Sequence, residues 1–340
     1  MKKNIISESK FKNLVEGFVS LGPILVIGDI GLDKYTMGNV RRISPEAPVP
    51  VLEVVEEKLK LGMAANIVDN LRTLGVRPTL CGIIGEDRNA EYFQDILKEY
   101  NLSTDGLIKV GNRPTTFKER VATSVQQVCR VDYEDRSPID KTTEKMVLDC
   151  AVKMFEDHGA VIVEDYGKGM FTEELIYGLI QKSREKGKLL TLDPSRITPP
   201  EFYRGATLLK PNLAEAQMMA RSMGCRNEKL EFVADTLMEK LELEMLVITM
   251  GAEGMALVDR GGSGELKRIP TLATEVYDVS GAGDTSISVL TASLLGGANL
   301  EEAAWIANCA AGVVVGKIGT ATVNSDELGR FYERVCENLQ

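Results

Sequence analysis

The sequence alternates short, continuous apolar runs with longer amphipathic segments, and this alternation limits the chain to few folds. The first apolar run, at 23–28, has the length of a strand and no charged position, as expected for a strand buried on both faces of a sheet. Because strands and helices alternate, we predict an α/β fold with a doubly wound, mostly parallel sheet and helices on both faces. Further strands are predicted at 79–84, 160–164, 188–192, 206–209 and 245–249, and helices at about 63–74, 88–100, 141–157, 172–186, 212–221 and 228–241.

Two segments interrupt this alternation, at about 34–56 and 107–135. Within the second, 115–121 and 126–133 read as a pair of extended strands. Residues 1–22 form a polar N-terminal extension, which we expect to be helical around 11–18. We therefore predict one domain at 23–340 after this extension, because no composition shift or linker marks a second large domain.

Composition excludes several classes of function. The single histidine, His158, excludes multi-histidine metal sites, and the six cysteines lack a Cys-x-x-Cys pair, as is typical of reduced thiols in a cytoplasmic protein. The net charge of −10 and the pI of about 5.0 argue against general nucleic-acid binding. No stretch approaches the length of an apolar membrane span. We predict a cytoplasmic protein that binds neither nucleic acid nor membrane.

The run at 277–285, Tyr-Asp-Val-Ser-Gly-Ala-Gly-Asp-Thr, concentrates more chemistry than any other segment. Its glycines predict a tight turn that opens into a buried helix. Free backbone N–H groups at such a turn, together with the helix dipole, stabilise an anion, and Asp284 stands beside that anion as a proton acceptor. The arrangement suits phosphoryl transfer to a hydroxyl. The residues alone leave open an ordinary glycine-rich helix start, in which Asp284 only complements the dipole.

This run resembles the C-terminal signature Asp-x-x-Gly-Ala-Gly-Asp of the ribokinase-like (PfkB) carbohydrate kinases, and all its defined positions are present at 278–284. The resemblance implies that Asp284 is the catalytic base and that the amides of Gly281, Ala282 and Gly283 form an anion hole. It also implies ATP and Mg²⁺ as cofactors, K⁺ as an optional monovalent cation, and a small β-sheet lid over the sugar site at the two irregular segments.

Two loops that follow predicted strands resemble nucleotide-binding elements of the same family. Residues 212–215 match its Asn-x-x-Glu element, which implies a place near the phosphates and a water-mediated contact of Glu215 with magnesium. Residues 249–254 match its Thr-x-Gly-x-x-Gly loop. The residues alone also fit a helix N-cap with a first-turn acid and a hairpin turn into a strand at 255–258. The resemblance assigns ATP binding to Asn212, Glu215, Thr249, Gly251, Gly254 and Asn308.

The substrate side of the resemblance rests on strand ends and on one basic strand. The loop at 28–33 is not a dinucleotide-binding Gly-x-Gly-x-x-Gly, and its last aspartate is either a turn residue or an acceptor for sugar hydroxyls. The cations at 118 and 120 share one strand face, which is either solvated or in contact with a sugar phosphate. In the run at 61–66, Leu61 and Met63 replace the smaller residues of the family. The resemblance assigns sugar binding to Asp33, Gly62, Asn66, Lys118, Arg120 and Lys168.

The proline-rich segment at 42–51 narrows the resemblance. It is similar to the lid-entry segment of the D-glycero-D-manno-heptose 7-phosphate kinases, and the stretches at 165–169, 203–207 and 311–320 agree. The similarity covers about 24–328. It implies phosphorylation of the anomeric O1 hydroxyl of the heptose 7-phosphate to the 1,7-bisphosphate, a step of ADP-heptose and lipopolysaccharide core synthesis.

Two other functions stay open: a PfkB-type kinase with a different sugar or sugar-phosphate acceptor, and a catalytically silent sensor of sugar phosphate or nucleotide. Many heptose kinases carry an adenylyltransferase domain with a His-x-Gly-His signature. Because this chain has one histidine, we expect a stand-alone kinase. The exposed edge of a small lid sheet also predicts a homodimer through the lid.

Overall fold

The computed structural model describes residues 6–273, 275–317 and 319–338. Helices are numbered in chain order, and short 3₁₀ turns are left unnumbered. The helices are α1 Glu8–Gly17, α2 Ala64–Thr73, α3 Arg88–Glu99, α4 Lys141–Met154, α5 Glu173–Glu185, α6 Leu213–Ser222, α7 Leu230–Lys240, α8 Ala282–Leu295, α9 Leu300–Val314 and α10 Ser325–Asn338.

The strands follow the same numbering. They are β1 Ile24–Gly28, β2 Ile30–Ile43, β3 Pro50–Met63, β4 Pro78–Ile84, β5 Leu107–Lys109, β6 Thr116–Ala122, β7 Gln127–Tyr133, β8 Ala160–Glu164, β9 Leu189–Asp193, β10 Leu208–Leu209, β11 Met245–Thr249, β12 Met255–Asp259 and β13 Lys267–Ile269.

The large sheet has the order β13-β12-β11-β10-β9-β8-β1-β4-β5. Its strands are parallel from β11 to β5, and β12 and β13 add an antiparallel edge. The chain builds outward from β1 through β4 to β5 and then returns to the other side of β1 with β8. The predicted doubly wound, mostly parallel sheet is confirmed. Ligands of such sheets bind where the order reverses, which here is beside the carboxyl ends of β1 and β8.

The core lies on both faces of this sheet, which explains why the strand sequences contain almost no polar residues. In β1, Ile24 and Val26 pack into one apolar cluster with residues of α2, α8 and α9. Leu25 and Ile27 point to the opposite face and pack with residues of α4, α5 and α7. Alternate residues of one strand therefore serve two cores.

The N-terminal extension packs against the domain. Ser7 caps α1, and Phe11 stacks on Tyr332 of α10 with ring centroids 3.9 Å apart. Phe18 is fully buried in the same cluster. The helix predicted around 11–18 therefore begins earlier, at Glu8, and contributes apolar side chains to the core.

A separate small sheet, the lid, has the order β3-β2-β6-β7. In it β2 pairs antiparallel with β3 and parallel with β6, while β6 and β7 form a hairpin. This confirms the predicted small sheet. Within the predicted segment 107–135, β5 belongs to the large sheet, because it pairs with β4. Within the described ranges, no helix combines the length and apolar composition that crossing a membrane requires.

Candidate active site

A cleft of about 640 Å³ opens at the carboxyl ends of β8, β9 and β10 and reaches the start of α8. An apolar cavity of about 300 Å³ adjoins it, lined partly by α9. The two cavities share Thr249, Gly251, Val279 and Gly283. The structure therefore brings the two predicted nucleotide loops and the 277–285 signature to one continuous cleft.

The turn before α8 has the conformation that its glycine predicts. Gly281 has φ of 81°, in the left-handed region that favours glycine, and an added side chain would meet Asn66 Nδ2 at 3.0 Å. Gly283 faces the cleft, where its added Cβ would lie 3.7 Å from Lys210 Nζ. Of the predicted anion-hole amides, that of Ala282 donates to the carbonyl of Val279 at 3.2 Å.

Asp284 lies in the first turn of α8 and is buried, with 7% of its surface exposed. Its Oδ2 accepts a hydrogen bond from Asn66 Nδ2 at 2.6 Å, and its Oδ1 accepts one from the Tyr166 hydroxyl at 2.8 Å. Burial raises the pKa of Asp284, while these two hydrogen bonds and the nearby Lys210 ammonium oppose the shift. The carboxylate is therefore held in one orientation by two neutral donors.

Three further charged groups surround this carboxylate, and sequence reasoning did not assign them. Glu164 and Asp193 end β8 and β9 as register partners, and Lys210 follows β10. Lys210 Nζ lies 2.6 Å from Asp193 Oδ2. Burial acts to lower the pKa of Lys210, but the carboxylates of Asp193 and Glu164 outweigh it and raise that pKa. A lysine that ends an apolar strand was the available sequence signal.

Glu164 is the least satisfied member of this cluster. Its side chain is buried, and Oε2 has no hydrogen-bond partner among the described residues. Burial and the neighbouring carboxylates of Asp193 and Asp284 raise the pKa of Glu164 well above its usual range. Burial likewise raises the pKa of Asp193, to about 6, although Lys210 opposes the shift. The cleft floor thus carries one ammonium group, that of Lys210, among several carboxyl groups, and the pKa of each of these groups is raised.

The two predicted nucleotide loops also have the local roles that their sequences allowed. Asn212 and Glu215 form a reciprocal capping box at the start of α6, and Glu215 Oε1 lies 3.3 Å from Arg196 Nε. Residues 249–254 form the turn of the antiparallel pair β11 and β12. Both loops line the cleft as well. Asn308 lines the apolar cavity, and its Nδ2 donates to the carbonyl of Pro270 at 2.7 Å.

The inner face of the lid is a row of charges. Asp33 on β2 is the register partner of Lys60 on β3 and of Lys118 on β6, so the three side chains share one face. Arg120 Nη1 lies 2.5 Å from Asp33 Oδ1, and Lys118 Nζ lies 5.5 Å from the ring centre of Tyr166. Sequence reasoning missed Lys60, although its alternate spacing on a strand was a usable signal.

The predicted sugar-binding cations differ in how they are engaged. Arg120 pairs with Asp33, and Lys168 pairs with Glu134 at 2.5 Å. Lys60 donates to the carbonyl of Thr320 at 2.8 Å. Burial lowers the pKa of both Lys60 and Lys118, and for Lys118 the neighbouring Lys168 adds to the effect. Desolvated cations of this kind are stabilised by an incoming anion.

At the base of the lid, Gly62 packs closely against Asp33, and Met63 packs closely against Gly31. A side chain at Gly62 would approach Asp33 Oδ2 to 3.0 Å, so glycine leaves room beside that buried carboxylate. Met63 is buried and has φ of 59°, a region that favours glycine. A Cβ added to Gly31 would lie only 2.8 Å from the sulfur of Met63. The larger residue at 63 is therefore accommodated by the missing side chain at 31.

Solved structures share this fold at low sequence identity. Phosphofructokinase-2 from Escherichia coli in complex with potassium superposes with a TM-score of 0.74 at 17% identity, covering 93% of this chain and 99% of that one. Ribokinase from Thermotoga maritima superposes with a TM-score of 0.71 at 17% identity, covering 92% and 99%. These likenesses establish the fold.

The fold and the cleft are those expected of a sugar kinase, a phosphotransferase whose acceptor is a sugar hydroxyl, and a family match shows this class. Residues 35–327 match the family model of the pfkB family carbohydrate kinases, and the chain belongs to this family. This confirms the resemblance drawn from the 277–285 signature.

Curated relatives lie within the same family. The chain is 41% identical over 304 residues to the bifunctional protein HldE of Citrifermentans bemidjiense, covering 89% of this chain and 62% of the relative. It is 39% identical over 305 residues to the bifunctional protein HldE of Helicobacter pylori, covering 90% and 65%. The chain thus spans less than two thirds of the length of these relatives.

Proposed function

We propose that the protein transfers the γ-phosphoryl group of ATP to the anomeric O1 hydroxyl of D-glycero-D-manno-heptose 7-phosphate, giving the 1,7-bisphosphate. The observation that carries the proposal is the buried carboxylate of Asp284, which lies at a helix N-terminus in the cleft between nucleotide loops and a cationic lid face. The resemblance of the segment at 42–51 to the heptose 7-phosphate kinases supports the heptose as acceptor. In this role the enzyme serves ADP-heptose and lipopolysaccharide core synthesis from the cytoplasm.

In the proposed reaction, Asp284 accepts the proton of O1 while O1 bonds to the γ-phosphorus and the bond to the β-phosphate oxygen breaks, releasing ADP. Burial raises the pKa of this carboxylate and so brings it nearer to the working pH of a general base. The amides of Gly281 and Gly283 and the Lys210 ammonium are proposed to face the charge that develops on the transferring group, and the Ala282 amide would join them by releasing its hydrogen bond to the carbonyl of Val279. Catalysis is then mainly positioning and electrostatic stabilisation.

The nucleotide is proposed to bind across the two joined cavities. The apolar cavity beside Asn308 suits a base, and the N-terminus of α8 and the turn at 249–254 suit the phosphates. Asn212 shapes the phosphate side by fixing the start of α6. Because its amide already donates to Pro270, Asn308 contributes to the wall of the base site.

Magnesium fits this cleft as a companion of the nucleotide. Mg²⁺ prefers oxygen ligands and usually combines one or two carboxylates with substrate phosphates and water. Within the described ranges no group of three or more acidic, histidine or cysteine side chains could hold a metal by itself. Glu215, which lines the cleft, is proposed to hold Mg²⁺ through water. When bound, the ion neutralises phosphate charge. Activation by K⁺ stays a prediction, checked by replacing K⁺ with Na⁺ in the assay.

The sugar phosphate is proposed to lie under the lid. Asp33 is proposed to accept sugar hydroxyls beside the buried Gly62, whose missing side chain leaves room at Asp33 Oδ2, and Asn66 lies beside Asp284 at the reacting hydroxyl. A phosphate dianion needs cations in an acidic protein, and Lys118 and Arg120 supply them on one face with Lys60. Lys168, which forms an ion pair with Glu134, is proposed to bind the sugar phosphate from the same side.

An acceptor panel tests the proposal. Turnover of ATP is measured with heptose 7-phosphate, hexose 6-phosphate, pentose 5-phosphate and the unphosphorylated sugars. We expect the heptose 7-phosphate to have the highest kcat/KM, and Met63→Ala to change it by less than about tenfold, since Met63 packs on Gly31. A clear preference for a shorter sugar phosphate would assign another acceptor. Binding without turnover across the panel would favour the sensor.

A homodimer through the lid is part of the proposal. The edge strand β3 is exposed along most of its length, with Val54 and Val55 exposed at 54% and 72%. Unpaired edges and exposed apolar residues favour pairing with a second copy. We expect a dimer in light scattering and a monomer for Val55→Glu, whereas a monomeric parent protein would refute this contact.

A further inference from the structure

Asp29 is a buried carboxylate to which the proposed reaction gives no role. It follows β1 directly, at the point where the strand order reverses, and 2% of its surface is exposed. Its Oδ2 accepts the backbone N–H of Tyr166 at 3.0 Å and that of Lys168 at 3.1 Å. Asp29 therefore holds the loop that follows β8 in place from the neighbouring strand.

The backbone of the same residue holds a second element. The carbonyl of Asp29 accepts the N–H of Ala64 at 3.1 Å, at the start of α2. Asn66 lies on that first helical turn and donates to Asp284 Oδ2, while Tyr166 on the other anchored loop donates to Oδ1. Both donors that hold the Asp284 carboxylate thus sit on segments fixed by one residue.

We propose that Tyr166 and Asp29 are positioning residues of the phosphoryl transfer: the Tyr166 hydroxyl orients the Asp284 carboxylate toward the acceptor, and the Asp29 carboxylate fixes the loop that carries Tyr166. The inference rests on the proposed role of Asp284 as the base. Two hydrogen bonds on opposite oxygens restrict rotation of the carboxylate, and each oxygen keeps a lone pair for the acceptor hydroxyl. A base held in this way needs no reorganisation as the proton arrives.

The electrostatic surroundings make this role measurable. The hydrogen bond from Tyr166 favours the charged form of Asp284 and lowers its pKa. Burial and the Asp284 charge raise the pKa of Tyr166 well above its usual range, so that it donates as a neutral phenol. Titratable groups face Asp284 from each neighbouring element, namely Asp33 on β2, Glu164 and Tyr166 at and after the end of β8, Asp193 at the end of β9 and Lys210 after β10.

The test is Tyr166→Phe, which deletes the hydroxyl and keeps the ring. We expect kcat to fall at least roughly tenfold, as for loss of a hydrogen bond to a charged group, with little change in the KM for ATP. The acid limb of the pH profile should move to higher pH, because Asp284 loses a group that stabilises its charge. An acid limb that stays in place would overturn the proposal, even if kcat fell.

A matched control separates positioning from folding. Tyr332→Phe also deletes a buried hydroxyl, which donates to the carbonyl of Ile6 at 2.6 Å, and neither residue lines the cleft or the apolar cavity. It should lower the melting temperature without moving the acid limb. Asp284→Asn, assayed in parallel, distinguishes the two failures. If Asp284→Asn keeps its turnover, Asp284 is not the base, and this inference is refuted together with the proposed function. If Asp284→Asn loses turnover but the acid limb of Tyr166→Phe stays in place, only this inference is refuted.

The part played by Asp29 is tested through Tyr166. Burial and the nearby Asp165 raise the pKa of Asp29 to about 7, so kcat is compared at pH 8, where the carboxylate is charged. Asp29→Asn should lower kcat in the same direction as Tyr166→Phe, and the double variant should be less impaired than the product of the two effects. Independent, multiplicative effects would show that Asp29 does not act through Tyr166.

Discussion

Asp284→Asn is the most decisive change to the proposed chemistry, and the structure indicates that the fold will tolerate it. The asparagine keeps one carbonyl oxygen, which still accepts from Asn66. Its amide nitrogen then faces the Tyr166 hydroxyl, which can turn to accept because a hydroxyl is both donor and acceptor. A buried charge is removed at the same time. We therefore expect the free energy of unfolding to change by no more than about 1–2 kcal/mol.

Activity should respond very differently. The amide cannot take the proton of the acceptor hydroxyl, and a general base is worth roughly 10²- to 10⁴-fold in rate. That loss corresponds to about 2.7–5.4 kcal/mol in the activation free energy, well above the expected change in stability. The KM for ATP should stay the same, because the nucleotide cleft keeps its shape.

The assay is ADP release coupled to a spectroscopic readout, with ATP binding measured by calorimetry and folding by thermal unfolding. Asp235→Asn, an exposed aspartate on α7, is the matched control and should behave as the parent. Turnover within a few-fold of the parent in a folded Asp284→Asn protein would refute the role of this carboxylate as the base.

Two further predictions concern the lid. In steady-state kinetics, Lys118→Ala and Arg120→Ala should each raise the KM for the sugar phosphate far more than the KM for ATP. Arg120→Ala should have the larger effect, because it also removes the ion-pair partner of Asp33. Equal effects on the two KM values would show that these cations do not bind the sugar phosphate. Gly31→Ala should lower the melting temperature through contact with the Met63 sulfur, and the same change should cost less in a Met63→Gly background; additive effects in thermal unfolding would contradict this packing.

The sequence predicted the large sheet well because its evidence is local. β8 and β11 have the predicted bounds, since each is an apolar run with polar neighbours. The extent of β2 and β3 was harder to predict, because their outer parts are polar and exposed on both faces. Periodicity reports burial, and strands that project into solvent bury little.

The candidate site was predictable only where a motif is contiguous. The run at 277–285 identified Asp284, but its partners Asn66 and Tyr166 lie 218 and 118 residues away in the sequence. Asp29 and Lys210 look like ordinary strand-end residues until the sheet order places them at the same edge of the sheet, where β1 and β10 end. Their place near the site depends on the order of the strands in the sheet, and that order cannot be read from the residues around each position.

The lid is rooted without an intervening loop, since Ile30 at the start of β2 pairs with Met63 at the end of β3, directly before α2. Two residues added to each of these strands would carry the outer turn about 7 Å farther out and leave the pairing at the base unchanged. Such an insertion would add one more opposed pair of inward-facing side chains. The length of the β2–β3 hairpin over an acceptor can thus change by whole residue pairs. The paired base of the hairpin would stay the same, and so would the distance from Asp33 to the helix that bears the proposed base.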